Sequence, residues 1–84
     1  MVGGTAMAAE DKEIMRLVHR EFAKRPIEAS RLAVYASRGV VYLHGQISIL
    51  RGHDINLKEE LETVITILKQ RTGIRDVINQ VTLR

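Results

Sequence analysis

The chain has 84 residues, 45% of them apolar and none of them cysteine, and 13 Lys and Arg against 10 Asp and Glu give a formal charge of +3. That length holds one domain, which buries only about two-thirds of its unfolded surface, and the apolar share argues against disorder. Without cysteine there is no disulfide staple, thiolate zinc site or cysteine nucleophile, and the mild basic excess suits phosphate or anionic lipid but falls short of a dedicated nucleic-acid binder.

Residues 1–9 are small and read as a flexible tail ahead of a single domain over 10–84. They lack the basic and long apolar regions of a secretory signal. The longest uncharged apolar run, residues 64–68, is far below the ~20 residues of a membrane span. The chain as it stands therefore shows no transmembrane segment. It reads as cytoplasmic by default, or as envelope-associated if it is part of a longer protein.

From Glu10 to Arg25 the apolar residues Ile14, Leu17, Val18 and Phe22 share one helical face, with Met15 at its edge. Glu10, Asp11 and Glu13 open this helix and Lys24 and Arg25 close it, complementing the macrodipole, and Pro26 stops it. Glu21 falls inside the apolar arc, where Arg25 at i+4 is its expected partner.

A hairpin follows. With Arg38 and Gly39 as a two-residue turn, Val34 meets Leu43, Ala36 meets Val41 and Leu32 meets Gly45 on one face. Tyr35 against Tyr42, Ala33 against His44 and Ser37 against Val40 fill the other. Gly45 then faces the core, where a side chain would push the helices away. The second strand continues through Ile47 and Ile49, and residues 48–55 read as a loop bent at Gly52. Asn56 and Glu59 resemble a capping box opening a helix with Leu57, Leu61, Val64, Ile65 and Leu68 on one face. Gly73 is placed to terminate it. Residues 76–83 alternate as a strand, with Asn79 the polar exception on the inward parity. The result is an α+β fold of order α-β-β-α-β, a two-layer α/β sandwich in which a three-stranded mixed sheet carries both helices on one face.

"GVVYLHGQI" at 39–47 reads as glycine, apolar 41 and 43, Gly45 and apolar 47. "GIRDVINQVTL" at 73–83 adds Gly73, an apolar 77, Asn79 and alternating apolars. With a helix ahead of them, these stretches resemble the BON domain, the bacterial osmotic-stress and nodulation module. Gly39, Gly45 and Gly73 are the structural glycines of this pattern. The interval between Gly45 and Gly73 is several residues longer than the family usually runs, the excess lying near residues 48–55. The resemblance implies a non-enzymatic module, often in envelope or membrane-associated proteins, that binds phospholipid surfaces or mediates contacts between domains. It implies no catalytic residue.

The residues agree with a non-catalytic reading. His19, His44 and His53 share no ligand spacing, so no metal site is expected. No nucleophile elbow, His–Asp frame or two-glycine phosphate clamp is present, and no cofactor is implied. Two surfaces invite binding. Lys12, Arg16, Arg20 and Lys24 recur every four residues beside His19, a row that suits an anionic surface or is simply solvated, with Glu13 partly neutralising it. Tyr35, Tyr42 and His44, with Val40 and Ile78, share the open sheet face, a place for another protein, a second copy or a neighbouring domain. That face would alternatively stack single-stranded nucleic acid, for which three aromatics in the chain are few. Ile49, Leu50 and Arg51 add an apolar tip beside a cation.

Overall fold

Ile14, Val18 and Phe22, about one helical turn apart, are buried and set the inner face of the first helix. The computed structural model describes residues 9–84. Its elements are α1 (Ala9–Ala23), β1 (Ile27–Glu28), β2 (Leu32–Ser37), β3 (Val40–Ile49), α2 (Leu57–Lys69) and β4 (Asp76–Leu83). The fold is α+β with two helices. Ala9 already belongs to α1, and the rest of the expected tail lies outside the described residues.

The sheet has four strands rather than the expected three. β3 is its centre, antiparallel to β2 along one edge and parallel to β4 along the other. The additional strand is β1, whose Ile27 and Glu28 pair with Ile49 and Ser48. Those two positions therefore belong to β3, and the loop expected from residue 48 begins only after Ile49. β1 and β2 run along the same edge of β3. Between them Ala29–Arg31 stand opposite Gln46–Ile47, so one strand carries an extra residue, as in a β-bulge. The Leu32 N–H closes this excursion on the Ala29 carbonyl and the Gln46 N–H donates to Arg31 O, both at 3.1 Å.

The β2–β3 register is the one the alternation of side chains requires, from Leu32 opposite Gly45 to Ser37 opposite Val40. Arg38 and Gly39 have φ of 54° and 83°, the signature of a type I′ turn, which matches the right-handed twist of the strands. Arg38 pays about 1–2 kcal/mol to enter this left-handed region. Its compensation comes from α1, where buried Asp11 accepts the N–H groups of Arg38 and Gly39 at 3.3 and 3.4 Å. The Gly39 carbonyl accepts the Arg75 N–H at 2.7 Å, fastening β4 to the same turn. A Cβ on Gly39 would sit 2.7 Å from Gly73 O.

The core lies on one side of the sheet. Leu32, Ala36, Val41, Leu43, Ile47 and Val77 are buried together with the inner residues of α1 and with Leu57, Leu61, Val64 and Leu68 of α2. Leu17 is only half-buried. Asn56 caps α2, accepting the Glu59 N–H at 3.1 Å. The helix ends at Lys69 with Gln70 as a right-handed C-cap. Gly73 is therefore not its terminator but the third residue of the Arg71–Ile74 turn, where φ is 96°.

Two expectations about single residues are corrected. Glu21 is buried inside the apolar arc, but Arg25 does not hold it. Its Oε2 accepts Lys24 Nζ at 3.2 Å and, across the helices, Arg71 Nη2 at 3.1 Å. Arg25 instead reaches Glu60 at 3.0 Å. Gly45 is needed for a different reason from the one anticipated. Its φ is 92°, which would aim a side chain along the sheet into the Arg31 carbonyl rather than at the helices. The obstacle is neighbouring backbone, which cannot yield as a side chain would.

Gly45→Ala should thus cost about 2 kcal/mol or more, combining left-handed strain with a backbone clash. Gly73→Ala, where φ is also positive but an added Cβ meets nothing within 4 Å, should cost about 1 kcal/mol. Urea unfolding of the two variants checks this, and equal losses would contradict it. Glu21 supplies a second check. The Lys24 hydrogen bond, more than the opposing burial and with help from Arg71, holds its carboxyl below the ordinary 4.5. A depressed pKa stabilises the fold above the unfolded value and ceases to do so as pH falls through the folded one. Glu21→Gln should cost about 1 kcal/mol at neutral pH, since both partners are half-exposed. The gap to wild type should close as the pH drops below 4.5, read from melting curves across pH.

Candidate binding surfaces

On α1, Lys12, Arg16, His19, Arg20 and Lys24 are all exposed, as the helical spacing requires once the opposite face is in the core. The ion pairs divide them. Arg16 meets Glu13 at 3.0 Å in full solvent, a contact worth little. Lys24 is held by buried Glu21. Among the described residues, Lys12 and Arg20 form no ion pair.

Arg51 lies in the turn after β3, as expected. The Leu50 N–H donates to the Pro26 carbonyl at 3.0 Å, fixing the turn after β3 beside the end of α1. Arg51 is exposed there and, among the described residues, forms no ion pair. Ile49 and Leu50 next to it are 37% and 38% exposed, unusual for large aliphatic side chains within one turn.

The open face of the sheet is a second surface. Register places Tyr35, Tyr42 and Ile78 in a single row across β2, β3 and β4. Their exposures are 49%, 39% and 37%. The tyrosine rings lie 6.0 Å apart between centroids at 40°, within the range of favourable aromatic pairing. His44 is exposed one step along, between Ala33 and Gln80. Because α1 covers the other side of the sheet, the basic row and the tyrosines point away from each other.

A third feature has no sequence signature. Beside the interval between β1 and β2 lies a hollow of about 270 Å³ whose lining includes Glu28, Ser30, Arg31, Gln46, Ile47 and Arg84. Glu28 is ionised readily there, because the Ser30 hydroxyl and N–H lower its pKa.

His19, His44 and His53 sit on α1, on the open face and in the turn after β3. Among the described residues no group of three His, Asp or Glu side chains gathers as a metal ion would need, and no helix is long and apolar enough to cross a membrane. No protein-family model matches the chain, and no curated protein matches it.

Proposed function

We propose that the chain is a non-enzymatic binding module that associates with anionic phospholipid surfaces, as its resemblance to the BON domain implies. The observation that carries this reading is the exposed apolar pair Ile49 and Leu50 next to the exposed cation Arg51. A separate exposed basic row lies on α1, whose Lys12 and Arg20 form no ion pair among the described residues. Apolar insertion together with clustered cations is the usual physical basis of peripheral membrane attachment. The two-layer arrangement expected of such a module, with both helices over one sheet face, leaves this surface free.

A second reading assigns the tyrosine face to another protein or domain, and the unbroken row Tyr35–Tyr42–Ile78 favours it. A nucleic-acid strand gripped by cations and tyrosines together is disfavoured, because those groups face opposite ways.

Liposome flotation decides between these readings. Vesicles containing anionic lipid should carry the protein at low salt and zwitterionic vesicles should not. Each of Arg20→Glu and Arg51→Glu should weaken binding by roughly fivefold or more, since a basic residue near such a surface contributes about 1 kcal/mol and charge reversal removes more than that. Replacing Tyr35 and Tyr42 by serine should leave flotation unchanged. Failure to bind at low salt, or indifference to both charge reversals, removes the lipid reading.

A further inference from the structure

β4 is an edge strand. Among the described residues it pairs only with β3. Residues 77–83 of it carry no charge, proline or glycine, the devices by which edge strands usually avoid pairing. The opposite edge is interrupted at Ala29–Arg31, which leaves six continuous residues in β2 against eight in β4. Among the described residues β4 therefore offers the longer unbroken ladder of backbone groups.

The direction of those groups is fixed. The Arg84 N–H turns inward, to Ile47 O at 2.9 Å. Val77 and Val81 turn theirs outward, where they meet side chains of their own strand, Asp76 Oδ1 at 2.8 Å and Asn79 Oδ1 at 3.1 Å. Odd-numbered residues therefore present the free edge, lightly stoppered by two local bonds.

We infer that this edge pairs with β4 of a second copy of the chain, antiparallel about a two-fold axis at Gln80. In that register Val77 faces the partner copy's Leu83, and Asn79 faces its Val81. All four are outward-directed residues and so can exchange backbone bonds. Ile78 faces Thr82, and Gln80 faces its own counterpart. Every side chain stays on its original face of the sheet, as a continuous buried layer demands. The charges select this register. Asp76 opposes Arg84 at both ends of the interface, giving the self-complementarity of a two-fold contact. Shifting the axis to Asn79 would instead set Asp76 against Thr82 and lose both pairs. The register also covers Leu83, 40% exposed on the core side of the sheet, with the partner's Val77. Asp76 exchanges its bond to Val77 N–H for Arg84 of the second copy, so the stopper becomes a contact. The inference rests on the edge strand alone and is independent of the lipid reading.

The chain lacks cysteine, which makes the register directly testable. Gln80→Cys places two thiols at a non-hydrogen-bonded antiparallel pair with Cα atoms about 4.5 Å apart, within disulfide reach. Thr82→Cys, exposed on the same face, faces Ile78 and has no thiol opposite. Under mild oxidation Gln80→Cys should form a disulfide-linked dimer much faster than Thr82→Cys. The wild-type chain should show a concentration-dependent mass in sedimentation equilibrium, shifted to higher concentration by Arg84→Asp and restored when Asp76→Arg is added. A monomeric mass up to millimolar concentration, or equal cross-linking of the two cysteine variants, overturns the proposal.

Discussion

The Arg38–Gly39 turn is the point on which the rest of the structure depends. It sets the β2–β3 register, and a change of one residue would turn Val34 and Ala36 to the face opposite Val41 and Leu43. Arg-Gly is a weak choice for a turn that needs two left-handed residues, and the deficit is made good from outside the hairpin. Asp11 accepts both turn N–H groups, and the Gly39 carbonyl takes the Arg75 N–H. One two-residue turn thus joins the first turn of α1 to the start of β4. The close approach of Gly39 to the Gly73 carbonyl leaves no room for a side chain at Gly39.

Charge inside the helical layer follows the same economy. Glu21 occupies a core position where leucine would pack, yet it links the end of α1 to Arg71 just beyond α2. Arg25 and Glu60 make a second bridge between the helical segments nearby. Both are ion pairs in partly dry surroundings, where geometry is worth more than the energy gained. They fix how the two helices lie against each other, which few apolar contacts in so short a chain would do. The cost falls on the basic row, because it commits Lys24 to an internal task and, among the described residues, leaves Lys12 and Arg20 as the cations of that row without an ion pair.

Local chemistry made much of this legible in the sequence. The hairpin register followed from a period of two that sorted aliphatic from polar-tipped residues, and the α2 cap followed from Asn56 ahead of an amphipathic run. What escaped was non-local. Asp11 had a sufficient explanation as an acid in a first helical turn, so nothing pointed to a turn 27 residues away. Glu21 had a plausible partner four residues on, while its second cation lies 50 residues distant. β1 escaped because two residues after a proline carry no periodicity, and its pairing shows only once the end of β3 is in place. Gly45 was recognised as necessary but for the wrong obstacle, since its left-handed φ redirects the side-chain vector in a way that alternation cannot reveal. Of the binding residues, the α1 row and the tyrosine face were readable as faces of single elements. Their separation onto opposite sides of the molecule required the fold.

Size explains why so much surface is left unsatisfied. Two helices cover one face of a four-stranded sheet and, on the core side, reach little further along β4 than Val77; Val81 and Leu83 are progressively more exposed. The other face is finished with tyrosine, whose hydroxyl keeps water while its ring shields the strands. The β4 edge is finished only by Asp76 and Asn79. Pairing at that edge would keep every residue on its own face, so the α1 helices of two copies would lie on the same side of one longer sheet. The exposed basic faces of the two helices would then point the same way. Any surface that one copy touches through that face would meet the second copy as an intramolecular attachment, which adds strength without any new contact.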